Sequence, residues 1–179
     1  MLLAGTLCTV AASLSACSGQ PAVGPLGNGG TAGQQCISGP KDQPLTVGLY
    51  SLRNTGTAPA TIDSVRLPST TLGLTMTRSW LTPIYHDTLL GVGWAYPLTP
   101  PKTTVHEWSG EKGALLEWAR RRPAVGAVIR PGQWLTLVFG LTRTRDHAGR
   151  SGGPVIVYTV SGNTYTIHEA VTLLILPRC

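Results

Sequence analysis

Apolar residues recur along most of the chain with a period of two, the spacing of a strand with one buried face. Leu45–Leu52 alternates apolar with small or polar residues, and Ala60–Leu67 does so again. Between them Arg53-Asn54-Thr55-Gly56-Thr57-Ala58-Pro59 has turn composition, because Asn and Gly tolerate positive φ. The two runs therefore read as a hairpin. Further strands are expected at Leu72–Leu81, Leu89–Trp94, Gln133–Thr142, Pro154–Ser161, Thr164–His168 and Val171–Leu176. Arg130-Pro131-Gly132 forms a turn before the Gln133 strand. Ser161-Gly162-Asn163-Thr164 is a two-residue hairpin signal between Val155–Val160 and Tyr165–Ile167.

One segment departs from this period. Ser109–Arg122 reads SGEKGALLEWARRR and is followed by Pro123. Ser109 suits a helix cap, Glu111 the positive N-terminal end, and the three arginines the negative end. Leu115, Trp118 and Ala119 fall on one face. The pattern predicts one inserted α-helix over about 110–122, inside an otherwise all-β fold.

The first residues follow neither period. Met1–Ala16 is apolar and small throughout, without charge, and too short to span a bilayer, which takes roughly 20 residues. It suits the apolar region of a secretory signal peptide, although no Lys or Arg precedes it. Leu14-Ser15-Ala16-Cys17 resembles the lipobox of bacterial lipoproteins. The resemblance implies that Cys17 is acylated on its thiol and becomes the mature N-terminus after cleavage of residues 1–16. Residues 17–35 then comprise the lipidated Cys17 and a Gly/Pro-rich, uncharged stretch that reads as a flexible tether. A plain secreted protein is the alternative.

Composition sharpens this division. The chain has 179 residues, 14 Lys+Arg, 8 Asp+Glu, 22 Gly and 14 Pro. Low charge and abundant turn formers exclude a coiled coil, a helical bundle and a charged disordered chain. With Cys8 in the signal and Cys17 lipidated, Cys36 and Cys179 remain. An even remainder in an exported protein suggests a disulfide, here joining the two ends of a domain over 36–179.

Leu52-Arg53-Asn54-Thr55-Gly56, extended to Leu67, resembles the N-T-G hairpin of bacterial immunoglobulin-like extracellular domains, including the cell-adhesion-related family. The resemblance implies an immunoglobulin-like antiparallel β-sandwich of about eight strands and brings no catalytic residue with it.

Candidate chemistry is sparse. Gly149-Arg150-Ser151-Gly152-Gly153-Pro154 resembles the nucleophile loop of chymotrypsin-like proteases, but Arg150 stands where that family has Asp. His86, His106, His147 and His168 are scattered, with no two at metal-binding helical spacing. Trp118 and Trp134 are expected in the core. Trp94 and Trp108 flank the Pro97–Pro101 loop and are the candidate ligand surface. The arginines 120–122 and 143, 145 and 150 are expected to be solvated, and by electrostatics suit anionic head groups or wall polymers.

The sequence thus points to a non-enzymatic lipoprotein on the outer face of a membrane. It would bind or scaffold at the cell envelope and require no cofactor, metal or nucleic acid. The partner would be an envelope protein or wall polymer. The alternatives are a carbohydrate- or wall-polymer-binding module using exposed Trp, and, further off, a hydrolase or metal-binding protein.

Overall fold

The computed structural model describes residues 24–28, 32–84, 116 and 118–179, together with the backbone of 91–95. The strands are β1 (Leu26–Asn28), β2 (Gly33–Ser38), β3 (Pro44–Asn54), β4 (Ala60–Arg66), β5 (Leu74–Pro83), β6 (Gly91–Ala95) and β7 (Arg122–Pro123). They continue as β8 (Val128–Ile129), β9 (Trp134–Arg143), β10 (Gly149–Ser151), β11 (Val155–Val160), β12 (Asn163–His168) and β13 (Val171–Leu176).

The fold is an all-β antiparallel sandwich. One layer is a six-stranded sheet in the order β1-β3-β9-β5-β7, with β6 also on β3. The other consists of two smaller sheets, β10-β13-β2 and β12-β11-β4-β8. Among the described strands all pairings are antiparallel except that of β2 with β13. The period of two decides which side chains meet between the layers. Leu45, Val47, Tyr50 and Leu52 of β3 and Leu135, Leu137, Phe139 and Leu141 of β9 face Ile62, Ile156, Tyr158, Leu173 and Ile175 across one continuous core. Phe139 stacks on Tyr50 at 5.7 Å between ring centroids.

The expected hairpin between β3 and β4 does not exist. β3 pairs with β1, β6 and β9, whereas β4 pairs with β8 and β11. The Asn-Thr-Gly segment is instead an arch that carries the chain from one layer to the other. Asn54 is fully buried at its base. Its amide Nδ2 donates to the carbonyls of Ala58 and Ile129, both at 2.9 Å, and its Oδ1 accepts from Gly56 N–H at 3.0 Å. Turn residues announce a reversal, but hairpin and arch have the same local composition. Only the competing partners of each strand separate them.

A two-residue reversal within Ser161–Thr164 does form, one residue earlier than strands ending at Ser161 and starting at Thr164 would place it, with Ser161 and Gly162 as its loop. Both residues have positive φ (49° and 81°), and Val160 pairs with Asn163, which makes a two-residue loop of the type that matches strand twist.

The stretch read as a tether enters the body. Leu26–Asn28 pairs with Asn54–Leu52, and Gly33–Gln35 pairs with Val171–Leu173. The ladder hydrogen bonds of an edge strand come from the backbone, so an uncharged Gly-rich segment can be recruited without an apolar pattern of its own. Of the expected helix, Leu116, Trp118 and Ala119 are helical, and Arg120 N–H bonds Leu116 C=O at 3.2 Å. Trp118 is buried but Ala119 is exposed. Arg122 is in β7 rather than the helix, because the residue before a proline is driven to extended backbone. Residues 109–115 and 117 lie outside the described residues.

Candidate functional site

Two strand edges run beside one groove without partner strands among the described residues. On the outer side of β5, β7 pairs only with Trp80 and Leu81, and Ala124 N–H reaches Ser79 C=O. On the outer side of β4, β8 pairs only with Ala60 and Thr61, and Ile62 is held by Gly126 and Ala127. Among the described residues, no strand pairs with Leu74–Thr77 or Asp63–Arg66 on those sides. The β7–β8 turn closes one end of the gap between them. One stretch of the groove, about 400 Å³, is lined by Val65, Thr77, Arg78, Trp80, Pro123 and Val125, among others. The next, about 380 Å³, shares Val65 and Thr77 and continues along Arg66, Leu67 and Leu74–Met76.

The groove has an apolar floor and basic rims. Among the described residues that line it, none is acidic. Trp80 sits at its closed end, edge-on to Trp118 at 6.3 Å. The Arg121 guanidinium lies over both rings, 5.3 Å from the Trp80 centroid and 4.2 Å from that of Trp118. Arg121 also donates to Trp118 C=O at 2.9 Å, so it closes the helical turn and fixes the indoles together. Twelve described residues are Lys or Arg and four are Asp or Glu, so the described part of the chain is positive as a whole.

The other arginine cluster is not uniformly solvated as expected. Arg143 is only 3% exposed. Its Nε and Nη2 donate to Gly39 C=O at 3.3 and 3.2 Å, and its Nη1 donates to the carbonyls of Arg145 and Asp146. This cation joins the end of β2 to the loop after β9 and is a structural clamp. Lys41 and Asp146 form an exposed ion pair at 2.8 Å beside it. Their hydrogen bond and attraction raise the Lys41 pKa and lower that of Asp146.

The remaining sequence candidates are placed as follows. Cys36 and Cys179 form a disulfide with Cα atoms 6.0 Å apart. Cys17, Trp108, His86 and His106 lie outside the described residues. The backbone of Trp94 pairs with Thr46, and its side chain is outside the description. Trp134 is 40% exposed, not core: it is the first residue of β9, on the face opposite Leu135, and that face becomes buried only further along, at Thr136 and Val138. Ser151 of the Gly-rich loop is buried in β10, its Oγ 2.7 Å from Thr71 Oγ1. His147 and His168 are exposed on separate elements, and no cluster of three potential metal ligands occurs among the described residues.

The groove could not be read from the sequence, since it is made by what fails to pair with β4 and β5. Trp80 and Arg121 carried only weak signals, an aromatic within a strand and one arginine among three.

No family model matches this sequence, and no curated protein matches it. Among solved structures, the ASH / PapD-like domain of human CEP192 (PapD-like domain 7) is similar over 98% of this chain and 95% of its own. The identity is 6% and the TM-score 0.42.

Proposed function

We propose that this protein is a lipid-anchored, extracytoplasmic, non-catalytic binding domain that holds an extended segment of an envelope protein in the β4–β5 groove. The observation that carries the binding role is the pair of open strand edges along one basic-rimmed groove. Free backbone N–H and C=O groups are satisfied by another backbone, so the fitting ligand is a peptide strand. Arg66 and Arg78 favour acidic side chains on it. The lipobox-like Leu14–Cys17 supports the anchor. The Cys36–Cys179 disulfide supports an oxidising compartment.

Two measurements test the parts separately. Labelling with an alkynyl palmitate should tag the wild type and leave Cys17→Ala unlabelled and released from membranes; a labelled, membrane-bound Cys17→Ala refutes the anchor. Titration with an alternating Val–Glu octapeptide should slow amide exchange in Leu74–Arg78 and Asp63–Arg66. An Arg66→Glu, Arg78→Glu variant should lose that protection. Protection absent, or confined to other strands, refutes the groove, and a response to wall polysaccharide alone would favour a glycan-binding module.

A further inference from the structure

The chain enters the fold at one pole of the sandwich. Antiparallel pairing of Leu26 with Asn54 places Gly24 and Pro25 beyond the end of β3, beside the Asn-Thr-Gly arch. Thr55 N–H bonds Pro25 C=O at 2.9 Å. Gly24 lies so close to Tyr158 and Tyr165 that a side chain there would collide with both. Cys179 is at the other pole: its N–H bonds Ser38 Oγ, next to the Gly39 carbonyl that Arg143 clamps.

Seven residue steps separate Cys17 from Gly24, a reach of at most about 25 Å. Because β1 already begins at Leu26, an acylated Cys17 holds the arch pole within that distance of the bilayer surface. The pole is chemically suited to that position. Arg53 and Trp134 are register partners at the adjoining ends of β3 and β9 and share the face away from the core. Both are exposed, as is Arg130 in the turn whose Gly132 N–H bonds Asn54 C=O at 2.8 Å. Neither Arg53 nor Arg130 has an ion-pair partner among the described residues. The polar Ser161–Thr164 reversal completes the pole without adding charge.

We infer that this pole, with Trp134, Arg53 and Arg130, rests on the anionic lipid surface to which Cys17 tethers it. Trp is favoured at the boundary of apolar chains and water, and the two arginines are attracted by anionic head groups. The groove then runs away from the membrane, with its closed end nearer the lipid and its open end presented outward. The inference rests on the acylation of Cys17 proposed above.

The test uses the acylated full chain in vesicles of 30% phosphatidylglycerol in acyl-brominated phosphatidylcholine. Bromine should quench the wild-type indole emission more than that of Trp134→Phe. The increment should vanish for Arg53→Gln, Arg130→Gln, because two arginines together shift the docked-to-undocked ratio about 30-fold. Equal quenching of wild type and Trp134→Phe overturns the docking. The mass of the acyl adduct on Cys17 reads the anchor independently, so failure of one is distinguishable from failure of the other. Unchanged thermal melting of each variant establishes that the fold is retained.

Discussion

Asn54 is the most informative single position in the fold. It is fully buried, and its amide makes three hydrogen bonds, to Ala58 C=O, Ile129 C=O and Gly56 N–H. Asn54→Ala removes all three and leaves two carbonyls and one N–H without their partner. At about 1 kcal/mol net per bond, the variant should lose about 3 kcal/mol. For a domain of this size that corresponds to a fall of about 6–12 °C in melting temperature. Asn54→Asp keeps the shape and the acceptor but turns a carboxylate toward two carbonyl oxygens. Its folded-state pKa must therefore rise above the unfolded value. The variant should be most stable in acid, losing stability as pH rises past the unfolded value of about 4 toward the folded one. Urea melts followed by circular dichroism, with the disulfide intact, measure both effects. A loss below about 0.5 kcal/mol for Asn54→Ala would refute the view that this amide holds the arch.

Two further outcomes are expected. Reducing Cys36–Cys179 opens a loop of sequence separation 143 and should cost up to about 5 kcal/mol on the chain-entropy account; an unchanged denaturation midpoint would show that the ends are held by β2 and β13 alone. Burial raises the Tyr50 pKa beyond the ordinary range, with Glu169 adding to the shift, and burial also raises that of Tyr158. Their neutral forms favour the folded state, so stability is fully present below about pH 10 and falls as pH rises from there. Absorbance at 295 nm should show late-ionising tyrosines that titrate together with unfolding. Reversible ionisation near pH 10 with the fold intact would contradict their burial.

What could be read from the sequence followed from local rules. Alternation along β3 and β4, and short apolar runs bounded by turn residues at β9, β11 and β13, located those strands because strands of a sandwich must bury apolar side chains. Ser161-Gly162-Asn163-Thr164 specified a reversal because Gly and Asn accept positive φ, while the pairing of Val160 with Asn163 decided that Ser161 and Gly162 form its loop. Other features depended on neighbours distant in the chain. Asn-Thr-Gly became an arch rather than a hairpin because β3 took β9 and β4 took β11. The Gly-rich segment joined the body because backbone hydrogen bonding needs no side-chain pattern. Arg143 was buried because the Gly39, Arg145 and Asp146 carbonyls converge on it, and Trp134 was left exposed because it stands at the very start of β9, before the cover that buries Thr136 and Val138 on the same face. The candidate site belongs wholly to this second group. Side-chain periodicity determines which residues point inward, but an open strand edge is defined by which backbone groups lack a partner, and pairing is decided by the tertiary structure alone.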